Sequence, residues 1–218
     1  MSEPTFLYGE VNLPPIPAEL LTTEVLESLP WEKWMVDAGH QRNYKKDGRT
    51  LTGCAYGKQI VDYEPLINWI KQQVPPWPSS EWLTIQHSKP NAGDTDTTQV
   101  AHTDVRRKFA LNYMITLGGD AVTTSYYRDP AHPLCRGNKP VSMDTDTGTS
   151  NYDNLECIAT FQAQASRWYL IRTNVLHEVD HLDGIRSSIT IPYFDDRALD
   201  YFKQQDLFKT VEEYADET

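Results

Sequence analysis

Hydrophobic positions follow two different periods along the chain. Up to residue 75 they recur at helical spacing, and from residue 81 they alternate. Pro17-Ala18-Glu19-Leu20-Leu21 through Leu29 predicts a helix that ends at Pro30, and Trp31 to Val36 a further short turn before Gly39. Leu66, Ile67 and Ile70 share one stripe of a second helix, Pro65 to Val74, stopped by Pro75-Pro76. Trp31, Trp34 and Trp69 are expected to fasten these helices to the body. Residues 1–17 are proline-rich and expected to run extended over the surface. Residues 40–59, with Gly48, Gly53 and Gly57, read as a loop or irregular hairpin.

In the alternating part, Glu81 to His87, Phe109 to Leu117, Val122 to Tyr127, Cys157 to Gln164, Trp168 to Thr173 and Ser188 to Tyr193 are predicted strands. Short strands separated by turns predict a sandwich or jelly roll. Two polar stretches interrupt them, Ser88 to Thr98 and Pro130 to Asn154, and loops of that length suit lids over a site. Tyr201 to Tyr214 predicts an acidic C-terminal helix. The expectation is a single mainly β domain with flanking helices: residues 1–80 helical and looped, 81–196 the β core, 197–218 the terminal helix.

Composition narrows the partners. The 39% hydrophobic content is globular, and a net charge of −11 disfavours a nucleic-acid backbone, which calls for a basic face. The one basic cluster, Arg106-Arg107-Lys108, reads as a solvated strand end. Three dispersed cysteines make neither a disulfide framework nor a thiolate metal site. No apolar run reaches signal-peptide or membrane-span length, so a soluble cytoplasmic protein is the expectation.

His102-Thr103-Asp104 lies just before the Phe109 strand. In extended chain His102 and Asp104 share a face and can chelate one metal. His177, 73 residues beyond Asp104, directly follows the Trp168 strand and offers a third ligand. Two imidazoles and one carboxylate on one face of an octahedron leave three positions open, an arrangement suited to iron(II) and O2. Arg186 and Ser188, nine and eleven residues past His177, share a strand face and can hold a carboxylate together.

These five residues resemble the pattern of the iron(II)/2-oxoglutarate-dependent dioxygenases: an H-x-D, a distal histidine, then an arginine and a hydroxyl residue. The resemblance covers roughly residues 81–194. It implies a double-stranded β-helix, a jelly-roll or cupin-like core with the N-terminal helices packed on one side. It also implies Fe(II) held by His102, Asp104 and His177, with 2-oxoglutarate clamped by Arg186 and Ser188. O2 would be consumed and 2-oxoglutarate converted to succinate while a small molecule or peptide residue is hydroxylated. Tyr113, on the apolar face of its strand, is a further expected cosubstrate contact, and Asn112 on the other face a poorer one.

Two rival readings stand beside it. His177-Glu178-Val179-Asp180-His181 is an H-E-x-x-H and, extended to Gly184, resembles a zinc metallopeptidase helix. The match stops there: Ser187 occupies the third histidine's place and no methionine follows Met143. In the oxygenase reading Glu178 and His181 become solvated loop residues at the edge of the site. The other rival is a jelly roll that binds a partner without catalysis. His40, His87 and His132 have no partners at useful spacing. Arg106, Arg128, Arg136 and Lys139 near the lids could receive an acidic group, and Tyr126 and Tyr127 could add apolar contact.

Overall fold

One face of the larger sheet is an apolar core under two helices; the other mixes apolar side chains with Asn112, Ser188, Thr190 and Arg186 and looks toward the site. In the computed structural model, residues 4–22, 24, 43–74, 83–90, 97–104, 106–137 and 152–215 are described. The chain is mainly β, with two α-helices among the described residues, Glu64–Gln73 and Arg197–Gln204. The strands are β1 Thr5–Val11, β2 Asn43–Lys46, β3 Arg49–Gly53, β4 Ala55–Ile60, β5 Thr84–Lys89, β6 Thr97–His102 and β7 Phe109–Leu117. They continue as β8 Thr123–Arg128, β9 Glu156–Phe161, β10 Trp168–Arg172, β11 Leu176–Leu182, β12 Arg186–Tyr193 and β13 Glu212–Tyr214.

They form two sheets, one of seven strands in the order β13-β1-β10-β7-β12-β5-β4 and one of six in the order β2-β3-β6-β11-β8-β9. From β5 to β12 the chain passes repeatedly from one sheet to the other. Phe109, Leu111 and Tyr113 of β7, Trp168 and Leu170 of β10, and Ile189 and Ile191 of β12 face one way. They pack with Leu66 and Ile70 of the first helix and Ala198, Leu199 and Phe202 of the second. Pro65 suits the first helical turn, where its missing N–H costs nothing.

Several expectations need correction. Residues 5–11 are not a surface strap. They form β1, hydrogen-bonded between β10 and β13, with Phe6, Leu7 and Val11 buried, because no proline falls between Pro4 and Pro14 and the strand fits in that gap. The C-terminal helix stops at Gln204; residues 212–214 instead pair with β1 as an edge strand. Residues 43–60 form the β2–β3 hairpin and β4. Of the expected first helix a 3-10 turn, Ala18–Leu20, is described, and Trp31, Trp34 and most of both lid stretches lie outside the described residues. Trp69 is partly buried against the main core. No helix among the described residues is long and apolar enough to cross a membrane.

The turn that delivers β12 depends on Gly118. Its φ is +85°, and its carbonyl accepts from the N–H groups of Asp183 and Gly184. A Cβ there would lie 2.8 Å from Leu182 Cδ2 and 2.9 Å from Arg186 Cβ. Gly118→Ala is therefore expected to lower stability by about 1–3 kcal/mol, read as a lower urea midpoint at unchanged slope.

Candidate metal centre

His102 closes β6, and the residue opposite it on β11 is His177. Directly opposed residues of an antiparallel pair share a face, so the two imidazoles meet, their ring centroids 4.5 Å apart. Asp104 joins them from just beyond the strand, where its N–H donates to Thr173 O at 2.9 Å. One ligand atom from each of His102, Asp104 and His177 lies within 4.8 Å of the others. The three expected ligands therefore come together.

Both rings are oriented by the same device. His102 Nδ1 is 2.8 Å from Val100 O and His177 Nδ1 is 2.9 Å from Val175 O. A carbonyl can only accept, so each Nδ1 carries the proton and the neutral ring presents the Nε2 lone pair to the centre. Burial, then the neighbouring His102, pushes His177 down to about 4. Burial alone would raise Asp104, but Arg107 and the two imidazoles outweigh it and hold the carboxyl below its ordinary range. Arg107 Nε and Nη2 both donate to Asp104 Oδ2 at 2.8 Å, which leaves Oδ1 for a cation.

Arg186 and Ser188 sit on the other sheet but face the same interior. Arg186 lies opposite Ser88, Ser188 opposite Gln86 and Met114, and Thr190 opposite Thr84 and Asn112. Arg186 reaches across to β8, with Nη1 and Nη2 each 3.3 Å from Thr124 Oγ1. No carboxylate among the described residues bonds this guanidinium, and burial pushes it down to about 10. A buried cation with hydroxyl neighbours and no counter-charge is a place for an anion.

Tyr113 does not join this group. Its cross-strand partners are Ile189 and Trp168, and its ring lies 4.9 Å from that of Trp168 in the core beneath the helices. Alternation separates the two faces of β7 correctly, but its apolar face is the one covered by helices. Asn112 occupies the polar face, opposite Thr190 and Tyr169, and its Oδ1 is buried without a hydrogen-bond partner. The sequence signal that could have found it is a polar side chain on the opposite face of β7 from Leu111 and Tyr113.

The H-E-x-x-H segment is strand β11, so it lacks the helical turn a zinc peptidase needs. Glu178 points to the opposite face from His177, fully buried, and accepts from Lys46 Nζ and Tyr127 OH. Asp180, on that same outer face, accepts from Lys46 at 2.9 Å and Arg49 at 3.4 Å. The expectation that Glu178 is a solvated loop residue is thus reversed. His181 is partly exposed beside Arg49. His132 stands 3.7 Å from Asp129, and His87 bonds Ser187 at 2.7 Å. His40 and Lys139 lie outside the described residues.

Comparison with known proteins is sparse. No family model matches the chain, and no curated protein matches its sequence. The X-ray structure of E. coli ycfD aligns over 75% of this chain and 41% of its own, at 16% identity and a TM-score of 0.37. The chain thus spans less than half of that structure's length, and a likeness at this score carries no argument about family.

The depressed His177 pKa has a consequence for the metal-free protein. Between its ordinary value of 6.5 and about 4 the unfolded chain takes up a proton at His177 that the folded protein refuses. Stability should therefore fall as pH drops through that window, and His177→Leu should flatten the slope. Urea midpoints against pH check this; a His177 ring titrating near 6.5 by NMR would contradict it.

Proposed function

We propose that the chain is an Fe(II)- and 2-oxoglutarate-dependent oxygenase. The observation that carries the reading is one interior holding both the His102, Asp104, His177 cluster and a buried Arg186 that no carboxylate among the described residues bonds. The strand order supports a double-stranded β-helix: β5, β7, β10 and β12 in one sheet, β6, β8, β9 and β11 in the other.

The residues fit such a cofactor. The donor set is two imidazole nitrogens and one carboxylate oxygen, borderline and hard ligands suited to Fe(II), with no thiolate among them. Bound there, iron(II) would supply O2 activation, driven by conversion of 2-oxoglutarate to succinate and CO2 and spent on oxidising a substrate C–H bond.

The chain's own part is binding and orientation. His102 and His177 offer Nε2 lone pairs because their Nδ1 protons are committed to carbonyls, and Asp104 offers Oδ1 because Arg107 occupies Oδ2. Arg186 would grip the far carboxylate of 2-oxoglutarate, with Ser188 and Thr124 adding hydroxyl contacts. Beyond Ser188, β12 runs toward Tyr193, which pairs with Phe109. That end of the sheet borders the metal centre through Lys108, Thr173 and Asp104. Asn112 therefore lies between clamp and centre, and its amide can present either a donor or an acceptor to the cosubstrate. The substrate in this reading is a small molecule or a peptide residue.

The test is succinate release in air from protein supplied with Fe(II) and 2-oxoglutarate. Arg186→Ala should raise the half-saturating 2-oxoglutarate concentration about 10- to 100-fold, the worth of a charge-assisted bond, with metal affinity unchanged. Equal loss of metal affinity would remove Arg186 from this role, and a wild-type protein that yields no succinate would favour the non-catalytic binding module.

A further inference from the structure

The pairing that brings His102 opposite His177 contains an irregularity. From His177 to Val179, β11 advances two residues, while from His102 to Gln99 the partner strand β6 advances three. One residue of β6 is therefore extra, and the peptide between Val100 and Ala101 lies within the bulge.

That peptide is held at both ends. Its carbonyl, Val100 O, accepts the Nδ1 proton of His102 at 2.8 Å. Its N–H, on Ala101, donates to Tyr152 OH at 3.1 Å, in a fully buried setting. In a trans peptide the two groups point to opposite sides. Tyr152 packs with Leu176 and Tyr127, which alternate with His177 and Tyr126 along their strands, so it lies on the outer face while the ring of His102 meets His177 on the inner one.

Tyr152 is itself anchored. Its N–H donates to Lys45 O at 3.3 Å in the β2–β3 hairpin. Its ring meets Tyr127 edge-on at 5.6 Å, and Lys46 Nζ lies 5.7 Å from its centroid. Burial first, and then the charge of nearby Glu178, keeps its phenol protonated. Lys46 bridges the buried Glu178 and Asp180, so the hairpin is pinned where Tyr152 needs it.

We propose that Tyr152 is a positioning residue for the metal centre, fixing through the Val100–Ala101 peptide the orientation and tautomer of His102. The inference rests on the metal-centre reading, and the test separates the two. Metal-free full-length protein is titrated with Co(II), following the visible d–d spectrum, and amide hydrogen exchange at Ala101 is measured without metal.

Tyr152→Phe removes only the hydroxyl. It should weaken Co(II) binding about 10- to 100-fold, the usual effect of losing a group that orients a ligand. It should also shift the d–d bands and speed exchange at Ala101. Tyr127→Phe removes a hydroxyl bonded to Glu178 but not to Ala101, and should leave Co(II) affinity at the wild-type level.

If the wild-type protein takes up no Co(II) in a His177-dependent way, the metal reading falls and the inference with it. If the wild type binds and Tyr152→Phe binds equally well, or Tyr127→Phe loses as much, Tyr152 has no positioning role. Should Tyr152→Phe fail to fold, exchange in the wild type decides: a protected Ala101 amide is required, and a fast-exchanging one overturns the proposal.

Discussion

The β6–β11 pairing is the constraint on which the candidate centre depends. A directly opposed antiparallel pair here brings two histidines distant in sequence to a ring separation of 4.5 Å. The bulge that achieves this pairing takes Ala101 N–H to a partner outside the ladder, and a buried amide must find one. Tyr152 meets that need from the outer face of the sheet. Behind it stand Glu178, Asp180, Lys46 and Arg49, two carboxylates matched by two cations. The ionic cluster is thus linked through Tyr152 and the Val100–Ala101 peptide to His102 of the candidate centre.

The seven-stranded sheet divides its work between its faces. Under the helices it is a conventional apolar core, where Trp168, Phe109 and Phe202 are almost wholly buried. Toward the other sheet it presents Thr84, Gln86, Ser88, Asn112, Ser188, Thr190 and Arg186 on one continuous surface. Burying so many polar groups is unfavourable unless something bonds to them, and Asn112 Oδ1 is left without a partner. A ligand with a carboxylate at one end and metal-binding oxygens at the other would satisfy this surface and Arg186 together.

Much of this was legible in the sequence because the decisive spacings are short. His102 and Asp104 share a face by strand geometry, as do Arg186 and Ser188, and neither inference needs the tertiary fold. What failed needed information about which face looks where. Tyr113 follows the apolar alternation of β7, and nothing in that period says whether helices or the second sheet cover it. Glu178 reads as solvated because carboxylates usually are; its partner Lys46 comes from a hairpin 132 residues earlier. The β1 strand was hidden by the prolines that follow it. The same ambiguity ranks Asn112 below Tyr113 in the sequence.

In the proposed function the histidine cluster and Arg186 serve one bound pair, a metal and a 2-oxo acid. Anaerobic titration of the protein with Fe(II) and 2-oxoglutarate addresses it most directly, because chelation of iron by the 2-oxo acid produces a weak visible charge-transfer band. The expected result is a saturable band that His177→Ala abolishes and that Arg186→Ala shifts to higher 2-oxoglutarate concentration. A protein that binds Fe(II) but shows no 2-oxoglutarate-dependent band, or that shows one equally in His177→Ala, would contradict it.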